Sequence, residues 1–264
     1  MRSTEGSTSG LPPFPNAIER VWKRVLGLVS NPLARIEQDC LLCASPAQRE
    51  IVCEACEADL PRLSEACCPR CALPSPEGRL CGRCLAKPSY FDAARAVFRY
   101  EFPLDKLVQS FKYGHRLALA GYFGRAMAAL GPPGGEAATP SVDLVVPLPL
   151  YPGRLSDRGF NQSLELAKVI ASAWKVPIDS ERCARIRDTP AQADLPWKER
   201  KGNIRNAFLC SGEFAGKRVL IIDDVMTTGA SVGECARALK RAGAAWVGVL
   251  VLARALPKRL QAAP

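Results

Sequence analysis

One run of residues limits what this chain can fold into more than any other: Val219, Leu220, Ile221, Ile222, Asp223, Asp224, Val225, Met226, Thr227, Thr228, Gly229, Ala230, Ser231. Four unbroken apolar residues behind Lys217 and Arg218 read as a strand buried on both faces, which calls for a parallel sheet covered by helices on each side. Two adjacent carboxylates follow at its C-terminal end, where open α/β sheets place their ligands. A hydroxyl-rich loop comes next, and the pattern predicts a helix opening at Ser231. Glu234 stands at capping-box spacing from Ser231, while Lys240, Arg241 and Gly243 supply a basic last turn and a stop. Gly229 lets the backbone approach a ligand closely, and free N–H groups at the helix start can surround a dianion. Thr227, Thr228 and Ser231 can donate further hydrogen bonds. Ionised carboxylates only accept, so Asp223 and Asp224 suit the vicinal hydroxyls of a sugar. The pattern predicts a sugar-phosphate site.

An apolar strand ending in an Asp pair also occurs as the acidic strand of P-loop proteins. That reading requires a G-x-x-x-x-G-K-[ST] loop elsewhere. The nearest stretch, Gly212 to Arg218, is one residue short and ends in Arg. The run from Val219 to Ser231 instead resembles the phosphoribosyl-pyrophosphate signature of the type I phosphoribosyltransferases.

A second signal lies upstream. Cys40/Cys43, Cys53/Cys56, Cys68/Cys71 and Cys81/Cys84 are four C-x-x-C pairs separated by nine to eleven residues. Each pair points two thiolates at one ion, and two pairs complete a closed tetrahedral site. The economical pairing is sequential, giving two structural zinc ions, with Cys67 left over to compete with Cys68. A disulfide framework fits less well because no secretory signal precedes it, and a redox motif would need only one pair. The chain is expected to be cytoplasmic, and no stretch approaches the roughly 18 to 20 apolar residues of a membrane span.

The formal net charge is +10, and almost all of the surplus falls after residue 88. That distribution suits a polyanion, either pyrophosphate or nucleic acid. Residues 1–13 are rich in Ser, Thr, Gly and Pro, which predicts disorder. From Asn16 an apolar stripe through Val29 predicts an amphipathic helix, read as packing on its own protein rather than on a membrane surface. Ala94 to Tyr100 alternates like a strand, Leu104 to Lys112 reads as a helix, and a second helix runs to Leu130. The lone histidine, His115, falls in the interruption between them. Asp143 to Leu150 predicts another buried strand ending in a proline-braced turn, and a helix from the Arg158–Gln162 run reaches about Trp174.

Together these pieces resemble the ComF family, amidophosphoribosyltransferase-like proteins, some of which are linked to competence for DNA uptake. The cysteine ribbon with Cys68-Pro-Arg-Cys71, the Phe111-Lys112-Tyr113 triplet, the Arg158–Gln162 run and the strand carrying Asp223 and Asp224 bear the resemblance. Spacing also matches at Arg187, Thr189, Gln192, Arg200, Asn203 and Phe208. The resemblance implies an α/β fold with a phosphoribosyltransferase-type (Rossmann-like) parallel sheet and an N-terminal zinc-ribbon domain whose ions are each held by four cysteines. Residues 1–36 would form a disordered tail and amphipathic helix, 37–88 the double ribbon and 89–264 the phosphoribosyltransferase-like domain. It further implies phosphoribosyl pyrophosphate with magnesium as ligand, held by Asp223, Asp224, Thr227, Thr228, Gly229, Ala230, Ser231 and Lys112. The turn Pro147, Leu148, Pro149 would lie near the pyrophosphate, and residues from about Arg185 to Phe208 would form a hood. Arg158, Arg187 and Arg200 are the candidates for stabilising the leaving group. Single-stranded DNA and proteins of the uptake machinery are the other partners implied. Position 2 is Arg, not the nucleophilic Cys of a glutamine amidotransferase, so ammonia transfer is not expected.

Overall fold

The computed structural model describes residues 38–47, 50–134, 142–188, 204–257 and 260. The expected N-terminal tail and helix lie outside these, as do Thr189, Gln192, Arg200 and Asn203. Four strands form one sheet: β1 (Ala93–Arg99), β2 (Leu144–Pro147), β5 (Arg218–Met226) and β6 (Trp246–Arg254), in the order β1-β6-β5-β2 and parallel throughout. A short antiparallel pair, β3 (Cys183–Arg185) and β4 (Phe208–Cys210), stands apart.

The apolar run of β5 is explained by what lies on each face. Leu220 and Ile222 join a core with Leu107, Phe111, Phe123 and Ile170. Val219 and Ile221 join a second core with Val232, Ala236 and Leu239. The first side carries α3 (Leu104–Tyr113), α4 (Ala118–Leu130) and α6 (Gln162–Trp174); the other carries α7 (Ala230–Arg241). With side chains alternating across a strand, both sets are buried only when both faces are covered. The helices α4 and α6 pack so closely at Gly124 that a Cβ there would lie 2.5 Å from the Val169 side chain.

The alternation in Ala94–Tyr100 predicts a half-exposed strand, but β1 buries every residue except Arg95 and the half-buried Arg99. The cysteine-rich segment covers its outer edge. Leu63 N–H donates to Val97 O at 3.0 Å, Arg99 N–H to Pro61 O at 2.7 Å and Ala94 N–H to Pro69 O at 2.9 Å. Those bonds satisfy an edge that would otherwise be open. Other boundaries also move. The strand expected over Asp143–Leu150 ends at Pro147. The segment Pro152–Arg158, which no apolar periodicity marks, is a short helix (α5), with Pro152 in its first turn. Short helices also follow Cys53 and Cys81: α1 (Glu54–Ala58) and α2 (Gly82–Ala86).

Candidate functional site

The strand bearing the carboxylates does not stop before them. It continues to Met226 because β6 stays in register alongside, with Asp223 opposite Val251 and Met226 opposite Arg254. Asp223 and Asp224 therefore sit on rigid, hydrogen-bonded backbone. Asp223 Oδ1 accepts from Ser163 Oγ at 3.0 Å and from Asp224 N–H at 2.9 Å. Asp224, buried, forms an ion pair with Lys112 Nζ at 3.0 Å. Burial first, and the neighbouring Asp224 charge second, push the Asp223 carboxyl up to about 7 against the pull of Lys112 and the two hydrogen bonds. Burial alone would lower Lys112, but Asp224 and then Asp223 outweigh it and hold the ammonium above its usual value.

Lys112 arrives at the end of α3, and the same helix end gathers two of the other expected pieces. Arg158 donates to Gln162 Oε1 at 3.0 Å and to Tyr113 Oη at 3.2 Å, with its guanidinium over the Tyr113 ring. Phe111 and Phe160 rings meet at 5.7 Å. Asn161 caps α6 by accepting from Ser163 N–H, and its amide donates to Leu148 O at 3.2 Å. Leu148 N–H in turn donates to Ile222 O at 2.9 Å. The Pro147–Pro149 turn, the Arg158–Gln162 run, the Phe111–Tyr113 triplet and the acidic strand thus converge at one end of the sheet.

The loop after β5 departs from the expected cap. Gly229, with φ of 79°, precedes α7, which begins at Ala230, so Ser231 lies inside the helix. The cap is local: Thr228 Oγ1 accepts from Ala230 N–H at 3.1 Å. Glu234 is not half of a capping box. It pairs with Arg237 at 2.6 Å and accepts from Asn206 N–H at 2.9 Å. The loop's outer carbonyls are held by two arginines. Arg83 of α2 donates to Thr228 O at 2.6 Å. Arg254, 1% exposed, reaches Met226 O, Thr227 O, Ala255 O and, across to the ribbon, Cys71 O.

The cysteines form two groups, Cys40/Cys43/Cys53/Cys56 and Cys68/Cys71/Cys81/Cys84, each with its sulfurs within 4.8 Å of one another. A tetrahedral zinc with bonds of about 2.3 Å puts its sulfurs about 3.8 Å apart. Cys43–Cys53 at 3.7 Å and Cys71–Cys81 at 3.6 Å fit that spacing. Both groups are structural zinc sites, paired sequentially. Cys67 stays out: its thiol donates to Ser64 O at 3.0 Å, and burial, then the Cys68 charge, push it up to about 11. Elemental analysis should find two zinc ions per chain, one in Cys68→Ser and two in Cys210→Ser; a metal-free wild type would refute the assignment.

Among the remaining candidates, Arg187 is exposed and donates to Arg205 O at 2.6 Å. Arg200 lies outside the described residues. His115 is a loop residue with φ of 51°. Sequence reasoning missed Ser163, Arg83 and Arg254. A lone charge ending the apolar run Val247–Ala253 was the available signal for Arg254. Arg185, expected only as the start of the hood, is buried, has its guanidinium 5.8 Å from the Phe208 ring centre and lies within electrostatic reach of Asp223; burial, then Arg154, lower its guanidinium. Cys183 touches Cys210 at 2.6 Å and Cys235 at 3.7 Å, a sulfur contact joining β3, β4 and α7 that no motif announced.

Comparison with known proteins covers both parts of the chain. A double zinc ribbon domain matches residues 36–85, and a phosphoribosyl transferase domain matches residues 163–262. The "DNA utilization protein YhgH" of Salmonella typhi is 36% identical over 82% of this chain and 97% of its own. The "Competence protein F" of Haemophilus influenzae is 30% identical over 66% of this chain and 78% of its own. The "Competence protein ComFC" of Streptococcus pneumoniae is 26% identical over 89% and 97%. Among the described residues no helix is long and apolar enough to cross a membrane.

Proposed function

From the premise that this chain belongs to the ComF family of double-zinc-ribbon, phosphoribosyltransferase-domain proteins, we propose that it binds phosphoribosyl pyrophosphate with magnesium at the end of β5. The observation that carries this is the linked set Lys112, Asp224, Asp223 and Ser163, set on strand and helix ends beside the hydroxyl loop. In this reading Asp223 and Asp224 accept from the ribose hydroxyls, and Thr227 to Ser231 hold the 5′-phosphate through backbone N–H and hydroxyl groups. Lys112 and the Pro147–Pro149 turn face the pyrophosphate. Asp224 is already ion-paired with Lys112, so the pair carries little free negative charge for a directly coordinated cation, and Asp223 accepts from a diol once it ionises. Magnesium would ride on the ligand's own pyrophosphate and ribose oxygens, where it neutralises the leaving group.

Transfer to an acceptor would break the bond from the anomeric carbon to pyrophosphate through an oxocarbenium-like state, with the protein chiefly positioning and stabilising charge. Arg158, pinned between Tyr113 and Gln162, is the candidate for stabilising that charge. The site of action is the cytoplasm, where the ligand thiols stay reduced.

The test is calorimetric titration with phosphoribosyl pyrophosphate in magnesium buffer. Wild type should bind one equivalent, and Lys112→Ala should bind about ten- to a hundredfold more weakly, because a hydrogen bond to a charged group is worth about 1.5–3 kcal/mol. No heat and no thermal shift with wild type would refute the reading. The relatives' names and the positive surplus of the chain support a second one: single-stranded DNA held through phosphates, on behalf of uptake-machinery proteins. Such binding should fall steeply with salt in a gel-shift titration, and no shift at low salt would end it.

A further inference from the structure

A cavity of about 340 Å³ opens between the second ribbon and the first turns of α7. Asp223, Asp224, Lys112 and the Pro147–Pro149 turn do not line it; of the residues proposed above, only Thr228, Gly229 and Ala230 border it. It meets the loop proposed for the 5′-phosphate only at those three residues, and its size falls in the range of small-molecule sites, about 300–1,000 Å³.

Three features of the lining point to the ligand. The first is charge. Arg83, Lys87, Arg205, Arg237 and Arg254 line it against one carboxylate, Glu234. A zinc ion on four thiolates behind Cys71 adds about two negative charges, and the wall stays cationic. Arg254, Arg237 and Arg83 donate to protein acceptors, whereas Lys87 and Arg205 are exposed to solvent. The second feature is an aromatic surface. Tyr90 is 59% exposed in the lining, with the Arg237 guanidinium 5.9 Å from its ring centre. An exposed ring among cations is the arrangement on which nucleobases stack while phosphates are neutralised.

The third feature is an unfilled position. Gly233 lies within α7 and borders the cavity, and a Cβ there would meet nothing within 4 Å. Glycine inside a helix is destabilising relative to alanine, and neither backbone conformation nor packing asks for it here. The space above Gly233 belongs to the cavity.

We propose that this cavity binds a nucleoside phosphate, with the base on Tyr90, the phosphate on Lys87 and Arg205, and Gly233 leaving the room it needs. The same chemistry is offered by a free mononucleotide and by the terminal nucleotide of a single strand. The test titrates the full chain with adenosine 5′-monophosphate and with a short 5′-phosphorylated oligodeoxynucleotide, for wild type, Gly233→Leu, Tyr90→Ala, the double variant Lys87→Ala/Arg205→Ala, and Asp224→Asn. Gly233→Leu and Tyr90→Ala should each weaken binding about tenfold or more, as should the double variant; Asp224→Asn, which weakens a nucleotide held at the carboxylate site, is the contrasting case. Binding of the oligonucleotide alone identifies a strand end; binding of the monophosphate alone identifies the free nucleotide, and mutual competition places both at this one site. Should Gly233→Leu lose its zinc or its circular dichroism, the Tyr90 and Lys87/Arg205 surface variants decide. Binding of neither probe by wild type overturns the proposal, as does binding lost with Asp224→Asn and kept in the cavity variants.

Discussion

Asp223→Asn should make the ligand-free protein more stable above pH 7 while removing most of its affinity for phosphoribosyl pyrophosphate. The two effects have one cause. Asp223 is held between a second carboxylate and the sheet, and its carboxyl is pushed up to about 7 from 3.8. A folded-state value above the unfolded one means that the folded chain keeps a proton which the unfolded chain has already released. The stability this contributes is complete below about pH 4 and is lost as pH rises through about 7. A shift of this size corresponds to about 4 kcal/mol, at about 1.4 kcal/mol per pKa unit. The Asn amide carries no charge, keeps an oxygen for Ser163, and should flatten the dependence across that window. Denaturant midpoints at pH 5 and pH 8 measure it: the variant should gain on wild type as pH rises. Identical pH dependence in both proteins would refute the argument. With ligand the preference reverses, because ribose hydroxyls need an acceptor-only carboxylate. Affinity should fall about ten- to a hundredfold, and wild-type affinity should rise between about pH 6 and pH 8 as Asp223 ionises.

The parts of this site that were legible in the sequence are those where one short segment contains its own reason. The four apolar residues before Asp223 require a covered parallel strand, and the two cores on either side of β5 supply the cover. Four C-x-x-C pairs specify two metal sites because the ligand spacing is local, and the sulfurs gather as sequential pairing predicts. What was not legible depends on distant partners. The strand's true end at Met226 is set by β6, and the burial of β1 by the segment around Pro61–Leu63. The capping-box pattern at Ser231 and Glu234 misled because Glu234 has better partners in Arg237 and Asn206. Ser163 follows a recognisable run, yet nothing local says its hydroxyl points at Asp223. Arg254 is the extreme case, since its acceptors lie as far away as Cys71.

That residue sets the largest expected loss of stability. Arg254 ends β6 with 1% of its surface exposed, and burial, offset in part by Cys71, pulls its guanidinium down to about 10, still charged at neutral pH. Its partners are backbone carbonyls and not a carboxylate, so the charge is compensated by dipoles: Cys71 O and Met226 O at 2.9 and 2.8 Å, Ala255 O at 2.8 Å, and Thr227 O. Arg254→Met keeps much of the volume and removes every donor, leaving those carbonyls facing an apolar side chain. Hydrogen bonds to charged groups are worth about 1.5–3 kcal/mol each, but they share one desolvation cost, so the sum is not additive. A loss of about 3–5 kcal/mol is expected, because several buried carbonyls lose their donor at about 1–3 kcal/mol each and not all can find another. Because the acceptors belong to both the second ribbon and the hydroxyl loop, the damage should appear in both. Zinc should leave the second site at lower chelator concentration than the first, and amides of Thr227 to Ala230 should exchange faster with deuterated solvent. Arg83→Ala, which removes one half-buried contact to Thr228 O, should loosen the loop without touching the zinc. If Arg254→Met instead unfolds within about 1 kcal/mol of wild type, with loop exchange unchanged, the carbonyls are satisfied by other means and Arg254 does not hold the ribbon to the loop.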